Sequence, residues 1–428
     1  MIMNTSVSPY IEKPEFSFSA LRSYFNIKEI ATGLGAAILI SLFIYLDYFG
    51  IKADLLIAPL TSLSAVAGFY LLLTISPRAL FWSGFFTGIL WFYWIGFSFR
   101  YYDVAAMIPL MLLFVGTGYG LFFRIIGIFK HPLLRALLFL GFSYFHPMSF
   151  NWFVPELTLI HSYFGIMKWQ FALFLLGIGL FASLPPKWKV AGLLPLALAI
   201  DTHHGEKLPL PDFKVMLTDS NVDQAKKWDE SYLPETIENN IATILDATNE
   251  GYDMVVLNES VFPMFLNMDI ELTKQLQKLS QDITIVAGAL YGDGKNAYNS
   301  TYYFDKGKVF IANKVILVPF GEEIPLPKFL ADWINKLFYN GAEDYKTAKK
   351  PVDITLSLGT FRNAICYEAT RDELFEGNPK YMIAISNNAW FTPSIEPTLQ
   401  KLLMEYFSKK YGTIIYHSAN HGISTIIH

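Results

Sequence analysis

Cys366 is the only cysteine in 428 residues, and it closes an apolar, strand-like run, FRNAICYE at 361–368. A lone free cysteine is ordinarily a small core residue, so its chemistry depends on its company. Glu259 ends the run DMVVLNE, where a carboxylate can project from the carboxyl edge of a sheet and serve as a general base. Lys314 interrupts the apolar run IANKVILV. A lysine there either reaches out from an edge or turns inward towards negative partners. An ammonium beside a thiolate lowers the thiol pKa and stabilises an oxyanion. The segment EATRDELF after Tyr367 reads as a helix that starts at once, and a thiol at a helix's positive end favours the thiolate. A thiol, a carboxylate and an ammonium are the parts of nucleophilic, covalent catalysis.

These residues need a sheet to hold them. After Pro209 and Pro211 the pattern changes to short β-branched runs alternating with helical ones, the sign of an α/β domain with buried strands. Strands are expected at 213–219, 253–259, 283–291, 300–305, 308–318, 352–359, 360–367, 381–387, 412–420 and 422–428. The clearest helix runs from Pro234 to Thr248, with Pro234 in its first turn, Ile237, Ile241, Ile244 and Leu245 on one face and Gly251 beyond its end. A second helix is expected at 397–411. The turns GDG (292–294) and DKG (305–307) fit hairpins.

The other half of the chain is different in kind. Apolar residues make up 53% of the sequence and charged residues 16%, a membrane protein's composition. Apolar runs at 31–49, 55–76, 80–98, 105–129, 133–150, 165–184 and 189–201 predict about seven spanning helices. Residues 1–200 carry 12 basic and 7 acidic side chains, and the remainder 21 and 30. The basic residues are scattered between apolar runs and form no patch, which argues against nucleic-acid binding. Lys13, Arg22, Lys28, Arg78, Arg124, Lys130, Arg135, Lys187 and Lys189 fall on one side, Lys52 and Arg100 on the other, which puts the amino terminus in the cytoplasm. An odd number of spans then delivers everything after about residue 203 to the far side. For Lys168 snorkelling to the headgroups serves as well as a functional role, and the adjacent His203 and His204 read as linker, with metal binding a remote alternative. The predicted organisation is a cytoplasmic segment at 1–28, a transmembrane domain at 29–203 and a catalytic domain at 204–428.

The combination of Glu259 in NESVFP, Lys314 in NKVILVPFGEEIP, Cys366 in ICYEA and the later SNNAWF resembles the nitrilase superfamily. Within it the likeness is to the apolipoprotein N-acyltransferases, which join a polytopic membrane region to a nitrilase-like domain. The resemblance implies an α-β-β-α sandwich, Cys366 as nucleophile, Glu259 as general base and Lys314 as stabiliser of tetrahedral intermediates. It further implies supporting roles for Glu322, Tyr367 and Glu368, and substrate contacts by Trp228, Asn387 and Trp390. The implied reaction moves an acyl chain from a phospholipid to Cys366 and then to the α-amine of an S-diacylglyceryl cysteine on an apolipoprotein, without metal or organic cofactor. The implied location is the bacterial inner membrane, with the catalytic domain in the periplasm. A membrane-tethered amidase acting on a soluble amide would share the three residues but leave the spans unexplained. Two apolar stretches suit a mobile lid in the headgroup region: Phe262, Met264, Phe265 and Leu266, and the helical face of Leu326, Phe329, Leu330, Trp333 and Leu337. Departures from the family are Asn388 where Asp is usual, Thr392 where Gly is usual, a helix at 397–411 without Arg-Ala-x-Glu, and an end at His428 before a final span.

Overall fold

The computed structural model describes residues 25–51, 54–101, 104–146, 150–319, 322 and 345–428. They fall into two compact units: Met1–Gly96, Ala106–Pro147 and Phe153–Glu206 form the first; Phe97–Ala105, Met148–Trp152 and Lys207–His428 form the second. Two short segments that the sequence groups with the helical half therefore belong to the second unit.

The first unit is helical. Four helices, Ile27–Tyr48, Leu55–Thr74, Pro77–Tyr101 and Ala105–Ile126, are long and apolar enough to cross a membrane. At 1.5 Å per residue a helix of this length rises about 33 Å, enough for a hydrocarbon core about 30 Å thick. The other three apolar runs form shorter helices, Pro132–Phe142, Lys168–Ser183 and Leu193–Leu198, so among the described residues four long spans stand where about seven were expected. The run at 133–150 stops being helical at Phe142, because an apolar loop and an apolar helix share one composition. Local signals set the helix starts: the Ser76 hydroxyl accepts from Ala79 N–H ahead of Pro77, and His131 Nδ1 accepts from Leu133 N–H ahead of Pro132. Buried Arg135 donates to the carbonyls of Leu73 and Ile75, at 3.2 and 2.6 Å, and so satisfies the end of the second span. Lys168 does not stand alone for the headgroups; it pairs with the fully buried Glu156 at 2.5 Å and donates to the Ser143 carbonyl.

The second unit is a sandwich of two six-stranded sheets. The first sheet is built from β1 (Val215–Leu217), β3 (Met254–Val256), β4 (Phe262–Phe265), β5 (Thr284–Gly292), β6 (Ala297–Asp305) and β7 (Lys308–Asn313). Its order is β1-β3-β5-β6-β7, with β4 also on β5. The second sheet comprises β2 (Asp219–Ser220), β8 (Asp353–Leu356), β9 (Gly359–Ile365), β10 (Tyr381–Asn387), β11 (Ile414–Asn420) and β12 (Thr425–Ile427), in the order β12-β11-β10-β9-β8 with β2 on β11. In the first sheet β1, β3 and β5 run parallel and β6 and β7 turn back as hairpins; in the second β9, β10 and β11 run parallel and β8 and β12 turn back. The DKG hairpin is a two-residue turn between paired Asp305 and Lys308 in which Lys306 and Gly307 both have positive φ.

Side-chain alternation sorts the layers. Met254, Val256 and Val286 meet Ile365, Ile383, Ile385 and Tyr416 between the sheets. Val255, Leu257, Ile285 and Ala287 point the other way, onto the helices Leu233–Asn249 and Ile270–Leu279 through Ile244, Leu272 and Leu276. On the second sheet the helix Glu396–Tyr411 buries Leu399, Leu402, Leu403 and Phe407. The layers are thus α-β-β-α. Residues 262–266 are no loose loop: Phe262 and Leu266 are fully buried core and 262–265 is strand β4, because burial in the sandwich is open to an apolar run that follows a strand. The second lid stretch, with Leu326, Phe329, Leu330, Trp333 and Leu337, lies outside the described residues.

Candidate active site

Parallel strands gather chemistry at their carboxyl ends. Glu259 follows β3, Cys366 follows β9, Asn387 ends β10 and Asn420 ends β11. Lys314 sits one residue past β7, whose expected extension to residue 318 does not form. The reason is a competing acceptor. After Lys314 N–H bonds the Asn299 carbonyl at 2.8 Å, the next two amides, Val315 and Ile316, leave the ladder and donate to Glu368 Oε1 at 2.5 and 2.8 Å. The other oxygen of Glu368 accepts from Ile365 N–H at 2.8 Å. One fully buried carboxylate therefore ties the segment after Lys314 to the residue before Cys366. Burial pushes this carboxyl up to about 7, against Lys314 and the three amides.

Cys366 itself has φ of 56°, a left-handed turn that costs an L-residue roughly 1–2 kcal/mol. The helix expected immediately after it is instead two 3-10 turns, Cys366–Thr370 and Asp372–Phe375, broken by extended Arg371. The thiolate gains nothing from a long helix dipole. Burial, then the Glu259 charge, push the Cys366 thiol well above its ordinary value, with Lys314 opposing. The resting sulfur holds its proton.

Glu259 is held by its loop and by two donors. Asn299 Nδ2 donates to Glu259 Oε1 at 2.7 Å, and buried Lys227 donates to the Glu259 backbone carbonyl at 2.7 Å. Gly288 on β5 lets this loop approach: a Cβ there would lie 2.5 Å from Ser260 N and 2.7 Å from Glu259 Cα. Burial raises the Glu259 pKa, Lys314 opposes and Glu322 adds to the rise. Lys314 stands 3.9 Å from Glu259 Oε1 and donates to both oxygens of Glu322, at 2.8 and 2.6 Å. Burial works against its charge, but Glu322 and Glu259 outweigh it and hold the ammonium above the ordinary lysine range.

The structure thus brings Glu259, Lys314, Glu322, Cys366 and Glu368 into one cluster. Tyr367 lies beside it, its hydroxyl accepting from Asn151 N–H at 3.3 Å and Arg371 Nη1 at 3.1 Å. Asn387 donates to Gln224 and accepts from Asn420 Nδ2, tying β10 to the helix Gln224–Lys227. Trp228 caps that helix and is 41% exposed; Trp390 meets Tyr101 edge-on at 5.3 Å; Phe265 is half-buried on β4. Among the described residues no hydrogen bond or ion pair joins Trp228 or Phe265 to the cluster, and no group of three His, Cys, Asp or Glu is placed to hold a metal ion. Sequence reasoning missed Asn299, Lys227 and Tyr345, whose phenol is raised by burial and by the charges of Glu322 and Glu259. It also missed Glu396, Gln400, Ser386 and His417. Their only sequence signal is a polar residue inside an otherwise apolar buried run.

A helical integral-membrane unit in one chain with a sandwich that collects a thiol, a carboxylate and an ammonium is the layout of a membrane-bound enzyme of covalent thiol chemistry. Residues 27–202 match the family model of the apolipoprotein N-acyltransferase integral membrane domain. The apolipoprotein N-acyltransferase of Wolinella succinogenes is 43% identical over 415 residues, covering 96% of this chain and 99% of the relative. That of Helicobacter pylori is 38% identical, covering 89% and 91%, and that of Campylobacter jejuni 35% identical, covering 95% and 92%. The chain belongs to the apolipoprotein N-acyltransferase family. Among solved structures, a CN-hydrolase superfamily protein from Xanthomonas campestris aligns with 49% of this chain and 77% of its own at 11% identity and a TM-score of 0.38.

Proposed function

We propose that the protein transfers an acyl chain from a phospholipid, through a thioester on Cys366, to the α-amine of an S-diacylglyceryl cysteine at an apolipoprotein's amino terminus. The observation that carries this reading is the cluster itself: one thiol on a left-handed turn, under the influence of a raised carboxylate and of an ammonium held charged by Glu322. In the first half-reaction the sulfur attacks the ester carbonyl while Glu259 takes the thiol proton. The oxyanion is met by Lys314 and the backbone amide at the Cys366 turn. Collapse expels the lysophospholipid alkoxide, which receives the proton from Glu259. In the second half the amine attacks the thioester, Glu259 takes its proton, and the departing thiolate recovers a proton to restore the resting enzyme. A base raised by burial is stronger than a solvated carboxylate, so it suits a thiol that is raised as well.

Seven crossings, with the amino terminus in the cytoplasm and the catalytic unit in the periplasm of the inner membrane, complete the reading. Parity supports it. Arg100 Nη2 donates to the Thr392 carbonyl and Tyr101 to that of Ala389; Asn151 Nδ2 and Trp152 Nε1 donate to Thr370. In this reading Arg100, Tyr101, Asn151 and Trp152 therefore share a side with the catalytic unit. Among the described residues three α-helices precede Arg100, two lie between Tyr101 and Asn151, and two follow Trp152 before residue 207.

The test is mass spectrometry of the full chain in phospholipid micelles without acceptor, beside Cys366→Ala. A gain of one acyl chain on Cys366, discharged by a diacylglyceryl-cysteinyl peptide and not by water, is expected. No adduct, with turnover of soluble amides, would establish a tethered amidase instead.

A further inference from the structure

A chain of buried polar groups reaches the thiol from the helix Glu396–Tyr411 and the strands β10 and β11, and the mechanism above does not use it. Its polarity can be read from one end. The Ile423 carbonyl can only accept, so His417 Nδ1, 2.9 Å away, carries a hydrogen. Burial holds the His417 pKa down to about 4, so at neutral pH the ring is neutral and its Nε2 is bare. The Ser386 hydroxyl, 2.8 Å from that nitrogen, must then donate to it. Its oxygen is left as an acceptor, and Gln400 Nε2 donates to it at 3.3 Å. That fixes the Gln400 amide with nitrogen on this side, and Nε2 also reaches Cys366 Sγ at 3.8 Å.

The other end agrees. Gln400 Oε1 accepts from Asn388 Nδ2 at 2.9 Å, and the same Asn388 nitrogen donates to Glu396 at 2.7 Å. Both hydrogens of the Gln400 amide are thereby assigned, one to a hydroxyl and one to the sulfur. Gln400, Ser386, His417 and Asn388 are all buried.

We propose that Gln400 is a catalytic residue of this site, an uncharged N–H donor to the Cys366 sulfur, with Ser386 and His417 as positioning residues that fix which face of its amide meets the sulfur. The assignment rests on Cys366 being the reacting atom. Whenever negative charge resides on sulfur, as attacking group in the first half-reaction and leaving group in the second, the amide strengthens its bond to it. Lys314 supplies a charge to the site; Gln400 supplies a direction. A neutral donor holds the thiolate without competing with Glu259 for the proton.

The single cysteine makes a clean test, because alkylation of the full chain in detergent–phospholipid micelles reports one sulfur. The rate of iodoacetamide modification against pH is compared for the native chain, Gln400→Leu and Ser386→Ala, with thermal unfolding as the folding control. Gln400→Leu should raise the apparent thiol pKa by about one unit, roughly a tenfold slower reaction at a fixed pH below it. Ser386→Ala, which frees the amide to turn, should slow it roughly twofold to fivefold. Native profiles in both folded variants would overturn the proposal. If Gln400→Leu fails to fold, the Ser386→Ala profile decides in the same terms. Failure of the acyl-transfer reading looks different: the native chain alkylates normally yet takes up no acyl chain.

Discussion

Gly288→Ala should misplace Glu259, the proposed base, without touching it. The added Cβ would meet three backbone atoms, Ser260 N at 2.5 Å, Glu259 Cα at 2.7 Å and Asn258 O at 2.8 Å, where ordinary contact begins near 3.4 Å. The shortfall is about 0.6–0.9 Å, and strand β5 cannot retreat by that amount. It is paired with β3 on one side and β6 on the other, with Gly288 opposite Thr301. The Glu259 loop must therefore move by about 0.7 Å, away from an Asn299 bond of 2.7 Å. Overpacking of this kind costs roughly 1–3 kcal/mol, and a misplacement near 1 Å costs on the order of 100-fold in rate. Single-turnover acylation of Cys366, followed by mass spectrometry alongside thermal unfolding, measures both. Gly118→Ala, where a Cβ meets nothing within 4 Å, is the control and should leave both quantities unchanged. A Gly288→Ala enzyme acylated within threefold of the native rate would refute the idea that this contact sets the base.

Other substitutions probe the remaining supports. Glu368→Gln replaces one acceptor oxygen of the three-amide clasp by a donor, and should lower stability by about 1.5–3 kcal/mol, seen in the unfolding midpoint, together with slower acylation. Asn299→Leu removes a donor that favours the Glu259 carboxylate, so the Glu259 pKa rises further and the acid limb of the pH–rate profile should move up by about one unit. Lys227 titrates near 8 in the fold, lowered by burial from 10.5. The native state sheds this proton first, the unfolded chain binds more protons between those values, and the lysine makes stability rise with pH across that window. Lys227→Met should remove a rise of roughly 3 kcal/mol, read as a flatter unfolding midpoint against pH.

The strand ends were legible because buried parallel strands read as apolar runs, and Glu259, Lys314 and Cys366 each stand where such a run stops. What lies beyond a run's end was less so. The run 308–318 looks continuous, yet its last amides turn to Glu368, which is more than 50 residues away in sequence. The helix expected after Cys366 fails for the same reason: Glu368 reaches back to Ile365 N–H and holds the chain in a tighter turn. Asn299, Ser386, Gln400 and His417 carry no periodic signal, since a buried polar residue is meaningful only once its partner is known. Apolar runs in the first half did mark helices, but hydropathy does not separate a long span from a short helix followed by an apolar loop, as Pro132–Phe142 shows.

The two loops that join the catalytic unit have a consequence for how the protein is made. Arg100 and Tyr101 leave the ribosome long before Thr392 and Ala389, with which they bond, and Asn151 and Trp152 long before Thr370. Each waits for more than 200 residues of further synthesis, so these late contacts impose a slow, non-local closure on folding. A fragment beginning at residue 207 would leave the donors to Thr370, four residues from the thiol, on a missing piece of chain. The last step in assembling the catalytic unit is then a reunion of segments made at different times, and the donors to Thr370 and to the Ala389 and Thr392 carbonyls come only with the first half of the chain.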